Sequence, residues 1–135
     1  MTGWLVKVGK CVVLAGLLVN SAASAGIVMT DGDTFSLDGE KIRIFQIDTP
    51  ETFRSRCENE LKLGLQAKAR LKELLHSGPL TIVREGEDYF HRTLAYVLAG
   101  EVDVGDVLLA EGLALPYRKG KAARLKRLAA WCPAK

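Results

Sequence analysis

The sequence predicts an α+β fold, mostly β: a five-stranded OB-fold barrel with a helix between strands 3 and 4 and two C-terminal helices. Three observations carry this. Five short β-branched and aromatic runs are separated by Gly, Pro and Asp turn signals. One long amphipathic stripe interrupts them after the third run. Two helical segments follow the fifth. The order β-β-β-α-β-β-α-α in so short a chain suits the five-stranded barrel.

The first strand is Ile27 to Met29, followed by a turn at Thr30 to Asp33 and a second strand at Thr34 to Leu37. Asp38-Gly39 is a strong hairpin signal. The third strand, Lys41 to Ile47, runs into a loop from Asp48 to about Cys57. Leu63, Ala67, Leu71 and Leu74 then fall on one face of a helix over about Asn59 to Leu75, with Gly78-Pro79 beyond its end. Leu80 to Arg84 is the fourth strand, Glu85 to His91 a polar turn, and Arg92 to Leu98 the fifth strand, with a turn at Gly100. Asp103 can cap a short helix over Val104 to Glu111, which Gly112 ends. A basic helix over about Gly120 to Ala130 closes the chain.

The chain has 135 residues, enough for one domain. Its first 25 have another character. Lys7 and Lys10 precede the apolar run Cys11 to Val19, and the small residues Ser21 to Ala25 follow. This is the layout of a secretory signal peptide cleaved before Gly26. The run is about half the roughly 20 apolar residues a spanning helix needs. The expectation is therefore a secreted or periplasmic domain over 26–135, a monomer with no stable membrane association. Without the leader, 17 basic residues face 16 acidic ones, so net charge says little about partners. Distribution says more. Seven Lys or Arg and no acid lie between Arg118 and Lys135, which suits either an anionic partner or a solvated helix face.

Export also bears on the cysteines. Cys57 and Cys132 remain after leader removal, and an even pair in an oxidising compartment reads as a disulfide. A two-cysteine metal site would lack partners, since His76 and His91 have no ligand spacing with either.

The chemistry collects in three clusters: "DGDT" (Asp31 to Thr34), "IDTPE" (Ile47 to Glu51) and "HRTLA" (His91 to Ala95). Asp33, Asp48 and the Thr49 carbonyl are hard oxygen donors suited to Ca²⁺ or Mg²⁺. Glu51 is placed to orient or deprotonate a water. Arg43 and Arg92 are available to a phosphoryl transition state. Arg43 and Asp48 stand five apart, so a flat strand would aim them at opposite faces. If both serve one site, the strand must bend, bulge or end between them, with Gln46 the first place to look.

In these residues the chain resembles the staphylococcal nuclease (thermonuclease) family. "DGDT", Arg43 five residues before "DTPE", the D-x-x-x-R-x-L-A run from Asp88 to Ala95, and "EGLA" (Glu111 to Ala114) before Tyr117 match in order and spacing. The resemblance implies an OB barrel with helices and Ca²⁺ as cofactor on Asp33, Asp48 and the Thr49 carbonyl. It implies Glu51 as general base or water positioner, with Arg43 and Arg92 on the scissile phosphate. Tyr117 would stack on a base, as aromatics do in nonspecific strand binding. The activity implied is sugar-nonspecific hydrolysis of DNA and RNA to 3′-phosphate ends. The alternative is a weak or inactive nucleic-acid-binding module. Departures from the family favour that alternative: Tyr89 stands for a usual lysine, Phe90 for a phosphate-binding tyrosine, and His91 for a glycine. The His91 change predicts a remodelled backbone where φ > 0 was tolerated.

Overall fold

The computed structural model describes residues 26–134. The segment read as a leader, 1–25, lies outside the described residues. Strands β1 (Ile27–Met29), β2 (Thr34–Leu37) and β3 (Glu40–Ile44) form an antiparallel meander. Asp38 and Gly39 both take positive φ, 49° and 90°, the turn that Asp-Gly favours because its twist matches the flanking strands.

The third strand ends earlier than its apolar pattern suggests. Gln46 sits at φ +62° and breaks the ladder; Ile47–Asp48 then forms a separate two-residue strand, β4. Helix α1 (Glu58–Leu75) follows, then β5 (Leu80–Glu87), β6 (Thr93–Ala99), β7 (Val102–Asp103), α2 (Val104–Ala110), β8 (Leu115–Pro116) and α3 (Lys121–Trp131). The main sheet runs β1-β2-β3-β6-β5, with β7 paired to β6 and β4 pairing β8 apart from it. The architecture of the described residues is a mixed α/β one, a mostly-sheet core with three helices. A ladder joining β1 to β5, which would close the predicted barrel, is not among the pairings of the described residues.

Five strands are predicted and eight are present among the described residues. The extra three are two-residue pairings too short for a periodic signal. β5 also outruns its predicted end at Arg84. A register shift between Arg84 and Gly86 absorbs one residue, so the polar stretch through Glu87 stays paired with β6. Polarity there reflects an exposed strand rather than a turn.

The core includes Phe35, Ile42 and Ile44 from the meander, Ile47 from β4, Leu71 and Leu75 from α1, Val97 from β6, and Val104 and Leu108 from α2. Helix α1 buries Gly64, Ala67, Leu71 and Leu74 on its inner stripe. Asp103 caps α2 by accepting from the Asp106 N–H at 3.1 Å. Two close approaches matter for the site. A Cβ at Gly64 would stand 2.7 Å from the Pro50 carbonyl, and one at Gly32 would stand 2.6 Å from the Ala67 Cβ. Glycine at these positions lets α1 press directly on the Asp31–Asp33 turn and the Thr49–Glu51 loop. No described helix is long and apolar enough to cross a membrane.

Candidate active site

Asp33, Arg43, Asp48, Thr49, Glu51 and Arg92 all line one cleft of about 120 Å³, with Asp31 and Pro50 completing its wall. Three features of the fold bring them together. The β2–β3 register sets Thr34 opposite Arg43, and the Ile44 N–H donates to the Asp33 carbonyl at 2.8 Å. The parallel β3–β6 register sets Arg43 opposite Leu94, two residues past Arg92. The break at Gln46 then turns the chain so that Asp48 comes back to Arg43. Arg43 Nη2 donates to Asp48 Oδ1 at 3.1 Å and to Asp33 Oδ2 at 3.4 Å.

Asp33 is buried and held from several sides. It accepts from the Thr34 hydroxyl at 2.8 Å and from the Thr49 N–H at 3.2 Å. Burial pushes the Asp48 carboxyl above its ordinary pKa, and the negative charge of Asp33 adds to this; Arg43 and Arg127 pull the other way. Glu51 is raised as well, first by burial and then by Asp31, Asp33 and Asp48, against a smaller pull from Arg56. No protein hydrogen bond to the Glu51 carboxylate is found among the described residues, which leaves it able to take a water. A raised pKa makes it a stronger base once ionised.

Arg92 is aimed by Asp88. Its Nε donates to Asp88 Oδ2 at 2.7 Å, while Asp88 Oδ1 accepts from the Phe90 and Arg92 N–H groups. Asp88 is held below its ordinary pKa: burial works against the charge, but the Arg92 and Phe90 hydrogen bonds outweigh it. The expectation of a remodelled backbone at His91 is corrected here. His91 keeps φ +57°, the left-handed conformation, and its Nδ1 lies 2.7 Å from Glu87 Oε1. The Asp88 bonds and the Asp88–Arg92 backbone pairing over-determine the turn and hold a non-glycine residue in it.

Tyr117 stands beside the cleft. Its ring is 5.3 Å from the Arg43 guanidinium and 5.2 Å from that of Arg127, and it remains 38% exposed. Its N–H donates to the Gln46 carbonyl at 2.8 Å, tying β8 to the break in β3. Cys57, which caps α1, and Cys132, at the end of α3, lie side by side with Cα atoms 5.9 Å apart.

Two residues that matter here were not singled out from the sequence. Arg127, only 8% exposed, donates from Nε to Asp48 Oδ2 at 2.8 Å and from Nη1 to the Arg118 carbonyl at 3.1 Å. Glu60, with no solvent exposure, accepts from the Arg56 N–H at 2.6 Å, from Arg56 Nη2 at 2.8 Å and from the Glu51 N–H at 3.4 Å. It holds the loop that carries Glu51. Each was detectable as a charge on an apolar stripe: Ala123, Arg127, Trp131 on α3 and Glu60, Gly64, Ala67, Leu71 on α1.

Comparison with known proteins addresses the family of the chain. The sequence model of the family described as "Staphylococcal nuclease homologue" matches residues 41–131. An "Uncharacterized endonuclease" of Haemophilus influenzae is 26% identical over 98 residues, covering 69% of this chain and 51% of the relative. "Endonuclease YncB" of Bacillus subtilis is 38% identical over 92 residues, 62% of this chain and 43% of the relative. The "SPbeta prophage-derived endonuclease YokF" of the same organism is 37% identical over 92 residues, 62% and 30% respectively. The chain thus spans about half or less of the length of these curated relatives. A match over two thirds of the sequence, carrying the DTPE loop, the Asp88–Arg92 turn and α3, places this chain in the family of staphylococcal nuclease homologues.

Proposed function

We propose that this chain is an exported, calcium-dependent, sugar-nonspecific nuclease that hydrolyses phosphodiester bonds of DNA and RNA to 3′-phosphate ends. The observation that carries the reading is the convergence of Asp33, Arg43, Asp48, Thr49, Glu51 and Arg92 on one small cleft. Its relatives bear endonuclease names, which supports the same reaction class. The barrel predicted from the sequence, the leader peptide and the Cys57–Cys132 disulfide belong to this reading.

The donor chemistry fits a hard dication. Asp33 and Asp48 lie close enough for one to raise the pKa of the other, a repulsion that a cation relieves, and both share the positive charge of Arg43. Among the described residues no group of three or more His, Cys, Asp or Glu is arranged to hold a metal. The proposed set has only two carboxylates and the Thr49 carbonyl, so water would complete it and affinity would be modest. Bound there, Ca²⁺ would polarise a phosphoryl oxygen. Glu51 would orient and deprotonate the attacking water. Arg92, fixed by Asp88, and Arg43 would face the charge that develops on the phosphate. Incubation of the protein with single- and double-stranded DNA and RNA, with Ca²⁺ or with a chelator, tests the reading. Digestion that requires Ca²⁺ supports it; binding without cutting at any Ca²⁺ concentration selects the inactive binding module.

A further inference from the structure

Two larger clefts adjoin the small one. The first, about 600 Å³, is walled by Arg43, Phe45, Arg92 and the turn at Asp88 to Phe90. The second, about 800 Å³, runs between the loop after Glu51 and helix α3, and shares Asp48 and Glu51 with the small cleft. Phe90 and Tyr117 line both large clefts. The small cleft therefore adjoins the first trough through Arg43 and Arg92 and the second through Asp48 and Glu51.

The second trough has an unusual charge pattern. Arg54 and Arg56 enter it from the loop, and Arg118, Lys121, Arg124 and Arg127 from the α3 side. Arg56 and Arg127 are occupied by Glu60 and Asp48. Arg54, Arg118, Lys121 and Arg124 are exposed, and no ion pair to any of them is found among the described residues. Four unpaired cations facing one trough repel each other and raise the local concentration of polyanions. Phe90, 71% exposed, offers an apolar face at the lip.

We propose that this trough binds the sugar–phosphate backbone of a single nucleic-acid strand as it passes from the cutting site, with Arg54, Lys121 and Arg124 as phosphate contacts and Phe90 as a stacking platform. The inference rests on the nuclease reading and extends it: the substrate is a polynucleotide held on both sides of the scissile bond. Basic side chains tracking a backbone beside exposed aromatics are what sequence-tolerant strand binding requires. A duplex would need both backbones accommodated, and the unpaired cations line a single trough.

The test is binding of a fluorescent 16-nucleotide single-stranded DNA by anisotropy, in chelator so that no strand is cut, across a salt series. The groove variant combines Arg54→Ala, Lys121→Ala and Arg124→Ala. A control variant removes the same charge elsewhere, at Lys41, Lys62 and Lys72, all exposed and outside the trough. The expected result is at least tenfold weaker binding by the groove variant, with the slope of log K against log salt reduced by about 2, at roughly 0.7 per lost single-strand phosphate contact. The control variant keeps the wild-type slope. Equal slopes for all three proteins, or equal losses in both variants, would overturn the proposal. Because nothing is cut in this assay, failure of the nuclease reading shows separately, as wild-type protein that never cleaves with Ca²⁺. Tighter binding of a 16-base-pair duplex than of the single strand would overturn the choice of a single strand.

Discussion

Arg127 of α3 reaches Asp48 of β4, Nε to Oδ2 at 2.8 Å, across 79 positions of sequence. The pair couples the last helix to the acid that Arg43 holds from the other side. Asp48 is therefore gripped by two guanidiniums, both of which also lie against the Tyr117 ring. Replacing Arg127 by Met keeps the volume but leaves Asp48 with one partner. Breaking a largely buried pair costs about 3 kcal/mol, so the urea midpoint falls with little change in slope. An unchanged midpoint would mean that the pair adds nothing to the docking of α3.

Glu60 should control acid stability. Burial works against its charge, but the hydrogen bonds from Arg56 and Glu51 hold its pKa below the usual 4.5. The folded state then binds the proton less tightly than the unfolded chain. The stability Glu60 contributes is complete above pH 4.5 and is lost as pH falls below it. Glu60→Gln should lower stability at pH 7 by about 2 kcal/mol, the scale of hydrogen bonds to a charged acceptor. Its stability should also vary less between pH 5 and 3, as denaturant titrations at several pH values would show. A parallel offset at every pH would contradict this role.

Asp88 should act through Arg92 and not on the substrate. Asp88→Asn keeps the shape but loses the charge that fixes the guanidinium. The expected effect is a drop in kcat of about 10- to 100-fold with KM nearly unchanged, since the proposed contact of Arg92 with the phosphate would be strongest in the transition state. Arg92→Ala should remove further sensitivity to Asp88, so the double variant resembles Arg92→Ala alone. Additive losses would point to a direct role for Asp88.

Reduction should loosen the α3 anchor. A bond between Cys57 and Cys132 closes a loop of 75 residues, which chain entropy values at about 4 kcal/mol as an upper bound. The oxidised protein should be about 2 Da lighter than the reduced one, as a bond that releases two hydrogens requires. Dithiothreitol should shift its urea midpoint downward. Insensitivity to reductant in both mass and midpoint would show the thiols free.

Much of this was legible in the sequence because the site is built from local pieces. Thr49-Pro50 fixes the path between Asp48 and Glu51, and the odd spacing of Arg43 and Asp48 demanded a break, found at Gln46 with φ +62°. The helix α1 stripe and the Asp38-Gly39 turn are equally local. What escaped was long-range. The β4–β8 and β6–β7 pairings involve two residues each, too few for periodicity to register. The stripe Ala123, Arg127, Trp131 marks Arg127 as inward-facing, but its partner Asp48 lies 79 positions away and no local pattern names it. His91 kept the glycine conformation because Asp88 pins the turn, a tertiary constraint that overrides local preference.

Glu51, proposed to direct the water, and Arg92, proposed to bind the phosphate, line one cleft. Both roles are tested by timing the cleavage of single-stranded DNA by wild-type protein, Glu51→Gln and Arg92→Ala from pH 4 to 9 with excess Ca²⁺. A loss of about 10²- to 10⁴-fold is expected in each variant. An acid limb is also expected in the wild-type protein, because activity appears only as the Glu51 carboxyl ionises. Glu51→Gln should lack that limb in whatever activity remains. Wild-type rates in both variants, with the same acid limb in all three proteins, would rule out the roles assigned to Glu51 and Arg92.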